Sequence, residues 1–109
     1  MKTNVSSSVM YKQVNGMPEQ IEEALNASLP NLPASKTVCV CGMGASALAG
    51  EVVSDYADGS TGSPVNVVRG IELPGWVDKE SVVILVSYSG NTKEVLIAYD
   101  EARSRGSRI

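Results

Sequence analysis

SVVILVSYSGNTKEVL, residues 81–96, decides the fold class. Its opening run, SVVILV, is the most strand-like stretch of the chain, rich in β-branched side chains and apolar on both faces. That pattern is expected of a strand at the centre of a parallel sheet covered on both sides. The run passes at once into a turn containing Gly90, and beyond it Val95, Leu96, Tyr99 and Ala102 recur at helical spacing. Asn91 with Glu94 three residues on fits a capping box, and the helix is predicted to end near Gly106. Arg103, Arg105 and Arg108 suit the end of that helix, where the dipole favours cations.

The same order, strand then tight turn then helix, occurs earlier in the chain. From Thr37 the residues TVCVC form a short β-rich run, followed by the glycines of CGMGAS and a helical stripe of Ala45, Leu48, Ala49, Val52 and Tyr56. Residues 58–63, DGSTGS, read as a loop. Pro64 then opens a second strand over residues 65–69. Between Arg69 and Ser81 no helical periodicity is visible, so the connection to the third strand is expected to be mostly loop. Nearer the amino terminus, Pro18 suits a first helical position. Glu19, Glu22 and Glu23 lie in the opening turns, and Ile21, Ala24 and Leu25 mark a short apolar stripe. Residues 29–35, with Pro30 and Pro33, read as a link. Residues 1–16 read as a polar, partly disordered lead-in, from which only Val9, Met10 and Tyr11 are expected to dock on the body.

The resulting order is a helix followed by β-α-β-loop-β-α, which argues for a parallel α/β sheet with right-handed crossovers. Three strands are few for this class, and Ser107, Arg108 and Ile109 look like the approach to a further strand. Residues 17–109 are therefore expected to be the N-terminal portion of one larger domain, incomplete in this chain.

Composition narrows the function. With 43 % hydrophobic and 19 % charged residues in 109, the chain has the balance of one globular domain rather than of a disordered tail. A net charge of −3 with scattered Lys and Arg supplies no basic stripe for nucleic acid and no cationic helix for a membrane surface. Neither is an expected partner, and without a signal-like apolar block the default location is cytoplasmic. Histidine is absent, which removes the commonest general acid/base and the commonest metal ligand. Cys39 and Cys41 share one face of a strand and read as two buried small hydrophobes, since further metal ligands are lacking. No metal and no cofactor are expected.

Two turns carry the chemistry. The first, Gly42-Met43-Gly44-Ala45-Ser46-Ala47, matches the spacing of the dinucleotide fingerprint between a strand and a helix. The second strand, however, ends in Arg69 rather than an acid, which would suit a 2′-phosphate, and the spacing from Gly42 exceeds the usual ~20 residues. The bland alternative is that these glycines merely permit a tight turn. The second turn, Ser87-Tyr88-Ser89-Gly90-Asn91-Thr92, gathers three hydroxyls at a helix N-terminus, where free N–H groups and the dipole hold an anion without Lys or Arg. Its bland alternative is that Ser89 or Asn91 simply caps the helix. Both turns follow carboxyl ends of strands, where open α/β sheets bind ligands, near the switch point if the strand order is 2-1-3. A phosphorylated metabolite suits them better than a dinucleotide, because the stronger anion site follows the third strand. Tyr88 reads as a packing residue, Glu94 as part of a cap and Glu51 as an exposed helix position.

These motifs have a family likeness. VSYSGNTKEVL (86–96) closely resembles the phosphate-binding segment of sugar isomerase (SIS) domains, and CGMGASALAG (41–50) resembles their first glycine-rich turn. With PEQIEEAL (18–25) and VVRGIELPGWV (67–77), the pattern from about residue 18 to 109 is similar to the amino-terminal part of archaeal-type bifunctional phosphoglucose/phosphomannose isomerases. The resemblance implies a flavodoxin-like three-layer α/β sandwich, a phosphosugar ligand and a homodimer. It implies phosphate binding by Ser46, Ser87, Ser89 and Thr92, and substrate-proximal backbone at Gly44, Ala45 and Gly90. Ala45 and Ala47 stand where family members often have glycine, and a methyl group at 45 narrows the approach or opposes a positive φ. The family's aldose–ketose isomerisation uses a glutamate base and a histidine that match no residue here, so catalytic groups are expected beyond Ile109. The alternatives are a non-enzymatic phosphosugar-sensing SIS module and an NADP-type nucleotide-binding domain.

Overall fold

The structure, a computed structural model, describes residues 8–31, 34–35, 37–60 and 62–109. Residues 1–7 of the expected lead-in lie outside the described residues, as do parts of the 29–35 link and of the 58–63 loop. The chain divides into two compact units between residues 32 and 33, whereas the change of composition suggests a boundary at 16/17.

In the first unit, part of the expected lead-in is helical: α1 spans Val9–Asn15, and the Ser8 side chain caps it by accepting the Tyr11 N–H at 3.1 Å. Gly16 then joins α1 to α2, Met17–Asn26, with Pro18 in its first turn as expected. Neither helix buries a residue: Ile21, Ala24 and Leu25 are exposed, as are Val9, Met10 and Tyr11.

The second unit holds the α/β sheet, built from β1 (Val38–Gly42), α3 (Ala45–Ser60), β2 (Val65–Val68), β3 (Val82–Val86) and α4 (Lys93–Ser104). All pairing is parallel, in the order β2-β1-β3. That is the order 2-1-3, with β1 between β2 and β3, and β3 in turn between β1 and Arg108, an interior position in line with that expected for residues 81–86. The central strand is buried along nearly its whole length. Beyond β3, Arg108 forms a parallel bridge with Val82: the Val83 N–H donates to Arg108 O at 2.8 Å and the Arg108 N–H to Ser81 O at 3.1 Å. The approach of residues 107–109 to a further strand position is thus present. The connection between β2 and β3 contains no helix, as expected.

Alternation along the strands sorts the two faces. Cys39, Cys41 and Val83 join Leu73, Val77, Ala98 and Ala102 in one core under α4, and α4 packs on β3 and β1. On the other face α3 packs on β1 and β2. A Cβ added to Gly50 would sit 2.7 Å from Val40 Cγ1 and 3.3 Å from Val67 Cγ2, so this helix rests its backbone on the sheet. Because α3 covers β1 and β2, Ile84 of β3 is left partly exposed on that face.

The helical stripes differ from those read in the sequence. The buried line of α3 is Ala47, Gly50 and Ala57, while Leu48, Ala49, Val52 and Tyr56 are exposed. On α4 the buried residues are Val95, Ala98 and Ala102, with Leu96 and Tyr99 turned outward. Both helices approach the sheet on small side chains, and the larger apolar ones are displaced to the flanks. Residues 58–60, read as loop, continue α3; there the Ser60 hydroxyl donates to the Tyr56 carbonyl within the helix.

A helix-free connection needs another support, and α4 supplies it. Arg105 Nη1 donates to Pro74 O at 2.7 Å and Val77 O at 3.2 Å, and Nη2 to Leu73 O at 3.4 Å. Glu101 pairs with Arg105 through Oε1 and accepts the Leu73 N–H at 3.1 Å through Oε2. Arg105 therefore divides its donors between loop carbonyls and Glu101 of its own helix.

Candidate functional site

Register aligns the two turns. Gly42 pairs with Val86 across β1 and β3, so both turns leave the sheet side by side at its carboxyl edge. That is where parallel α/β sheets bind ligands.

The first turn is shaped by backbone. A Cβ on Gly42 would meet Ala47 N at 3.0 Å and the Ser46 carbonyl carbon at 3.1 Å, so the start of α3 folds directly over the strand end. Gly44 adopts φ +56°, a conformation that favours glycine. The Ser46 N–H donates to Met43 O at 3.1 Å and the Ala47 N–H to Gly44 O at 3.2 Å, which closes the turn. Ala45 is already helical, and no non-glycine residue has a positive φ among the described residues, so its methyl group is not strained. Ser46 is half-buried in the opening turn of α3.

The second turn is shaped by side chains. Ser87 and Thr92, at the two ends of the turn, bring their hydroxyls to 2.8 Å, and Ser87 Oγ accepts the Gly90 N–H at 3.1 Å. Ser89 Oγ accepts the Asn91 N–H at 3.1 Å, and Gly90 has φ +70°. The expected capping box is not formed. The N-cap of α4 is Thr92 rather than Asn91, and Thr92 makes no side-chain bond to the helix because its hydroxyl meets Ser87 instead. Glu94 accordingly sits one residue too early to complete a box. The first N–H groups of α4 are left without a side-chain cap. Since Ser89 Oγ already accepts a backbone N–H, its own O–H is the natural donor toward a ligand, and so is the O–H of whichever of Ser87 and Thr92 accepts in their mutual contact.

The structure therefore joins Ser87, Gly90 and Thr92 in one network, with Ser89 bonded separately to the Asn91 N–H of the same turn. It places Gly44, Ala45 and Ser46 in the neighbouring turn, with no hydrogen bond joining Ser46 to the second turn among those described. Tyr88 is 99 % exposed, which corrects its reading as a packing residue: flanked by two serines whose oxygens turn to the backbone, its ring projects into solvent.

Two further residues belong to this edge. Arg69, just after β2, donates from Nη1 to Gly44 O at 3.3 Å, and from Nε and Nη2 to Glu51 Oε1 at 3.0 and 2.6 Å. Glu51 is thus an ion-pair partner rather than an idle helix position. No local spacing signals this pair, because the residues meet only once β2 lies beside β1 and α3 covers both.

Cys39 and Cys41 are free and buried, with Sγ atoms 3.8 Å apart. The contact with Cys41, then burial, raises the Cys39 thiol above its ordinary pKa. No group of three or more His, Cys, Asp or Glu placed to hold a metal occurs among the described residues. No helix described is long and apolar enough to cross a membrane.

Comparison with known proteins identifies the family. The SIS domain model matches residues 31–109. A bifunctional phosphoglucose/phosphomannose isomerase of Caldicellulosiruptor bescii is 38 % identical over 106 residues, covering 92 % of this chain and 31 % of that protein. The protein of the same name from Aquifex aeolicus is 38 % identical over 98 residues, 89 % of this chain and 30 % of its own. That of Thermoplasma acidophilum is 38 % identical over 72 residues, 66 % of this chain and 22 % of its own. The chain thus spans about 30 % of the length of the first two relatives. No solved structure matches at a significant level.

Proposed function

Because the chain belongs to the SIS domain family, we propose that it holds the phosphate of a sugar phosphate at the paired turns. The enzyme it serves interconverts glucose 6-phosphate or mannose 6-phosphate with fructose 6-phosphate. The observation that carries this reading is the Ser87–Thr92 network set before an uncapped α4. A phosphate dianion at that point takes the place of the Ser87–Thr92 contact, accepting from the hydroxyls of Ser87, Ser89 and Thr92 and from the first N–H groups of the helix, and the dipole adds to the attraction. Gly90 lets the backbone approach. The sugar body then lies over the first turn, with Ser46 completing the phosphate site and the backbone of Gly44 and Ala45 beside the substrate. The names of the relatives support the isomerase assignment, and the family likeness supports a cytoplasmic homodimer.

In this reading the chain binds and orients. Ring opening and proton transfer through an enediolate need an acid and a base near the reacting carbons. The chain has no histidine, Glu51 is engaged by Arg69, and none of Glu72, Glu80 or Glu94 is assigned a catalytic part. Calorimetric titration with glucose 6-phosphate and, separately, NADPH tests the proposal. Glucose 6-phosphate is expected to bind weakly and to lose at least tenfold in affinity on Ser87→Ala or Thr92→Ala, with no turnover by the chain alone. A preference for NADPH that neither substitution alters would overturn it.

A further inference from the structure

We propose that Arg69 is a positioning residue for the sugar-facing side of the site, fixing the glycine turn through the Gly44 carbonyl while Glu51 holds its guanidinium in place; this rests on the phosphosugar reading. Three elements meet at this side chain. Arg69 follows β2, whose last residue pairs with Cys41, so it emerges beside the start of the first turn, one strand spacing of about 4.8 Å away. Its Nη1 reaches Gly44 O at 3.3 Å, and its Nε and Nη2 both reach Glu51 Oε1, at 3.0 and 2.6 Å. Glu51 stands on α3, the helix that the turn opens. The fork therefore ties the turn to the strand on one side and to the helix on the other.

Gly44 needs such a hold. It has no side chain, its φ of +56° is one that glycine leaves readily, and a Cβ built there would meet nothing within 4 Å. Packing does not confine it, and the Ala47 N–H bond to its carbonyl spans only the turn itself. The second turn has no equivalent requirement, since its own hydroxyls hold it closed. A planar guanidinium reaches Glu51 and Gly44 from separate nitrogens, whereas an ammonium offers all its donors from one point and lacks that fork. Arg69 thus has a structural use that the 2′-phosphate reading of the glycine motif does not supply.

The test compares the wild-type chain with Arg69→Gln and Arg69→Lys, using amide hydrogen exchange without ligand and then NMR titration with glucose 6-phosphate and with inorganic phosphate. Without ligand, exchange at Ser46 and Ala47 is expected to rise about three- to fivefold in both variants, the range for loss of an exposed ion pair, and at Leu96 in α4 to stay unchanged. Affinity for glucose 6-phosphate is expected to fall by a similar factor, and that for inorganic phosphate, which meets the first turn through Ser46 alone, to fall by less. Unchanged exchange, equal loss toward both ligands, or full retention by Arg69→Lys would each overturn the positioning role. If the wild type ignores glucose 6-phosphate while Arg69→Gln still loosens the turn, the phosphosugar reading fails and removes the sugar-positioning role with it, an outcome distinct from unchanged exchange.

Discussion

The turns after β1 and β3 occupy equivalent places in neighbouring strand-turn-helix units, yet they are stabilised by opposite means. The first relies on missing side chains: Gly42 lets α3 fold over the strand end, Gly50 lets its backbone rest on Val40 and Val67, and Gly44 takes a left-handed φ. The second relies on side chains, with Ser87, Ser89 and Thr92 holding the loop and leaving the helix end uncapped. One turn supplies close approach and the other supplies donors, and a phosphorylated ligand needs both. The comparison also separates two kinds of vulnerability. Loss of a glycine should appear in stability, and loss of a hydroxyl in binding.

The largest effect should come from filling the space under α3. Gly50→Val places a Cβ 2.7 Å from Val40 Cγ1, and the overpacking should cost about 3 kcal/mol in urea denaturation. Arg105→Ala is expected to cost about 2 kcal/mol, because three carbonyls of the helix-free connection lose a charged donor; a negligible change would show that the connection is held by Leu73 and Val77 alone. Gly90→Ala, at φ +70°, should lose about 1 kcal/mol of stability. In contrast with these, Ser87→Ala should shift the denaturation midpoint by less than about 1 kcal/mol while reducing phosphosugar affinity at least tenfold. A large loss of stability there would erase the distinction between the turns. The smallest effect concerns the core beneath them: Cys39 and Cys41, both buried, should resist alkylation by iodoacetamide in the folded chain and react readily in urea.

Much of this arrangement was legible in the sequence. The three strands, the helix-free connection after Arg69 and the positions of both turns follow from β-branched runs, glycines and hydroxyl clusters whose meaning is local. The faces of the helices were not. Leu48, Val52 and Tyr56 form a convincing apolar stripe on α3, but the sheet is approached on Ala47, Gly50 and Ala57. Periodicity weighted by hydrophobicity favours large residues, whereas close helix–sheet packing selects small ones, and nothing local arbitrates between them. Thr92 displaced Asn91 as the cap because its hydroxyl has a partner five residues back in the strand end, a tertiary preference rather than a capping signal. Arg69 and Glu51 are separated by eighteen positions and become neighbours only through the parallel order of β2 and β1. Tyr88 misled for a similar reason, since its alternation with two serines continues a strand pattern into a turn that has already left the sheet.

The central claim is that these two unlike turns make one phosphosugar site, and residue-resolved amide NMR during titration with glucose 6-phosphate tests it most directly. Amides of residues 87–94 and of residues 42–47 should shift together, along a single binding curve, and in Ser87→Ala that curve should move, for both sets alike, to at least tenfold higher ligand concentration. Shifts confined to one turn, separate curves for the two, or a response that survives Ser87→Ala unchanged would contradict it.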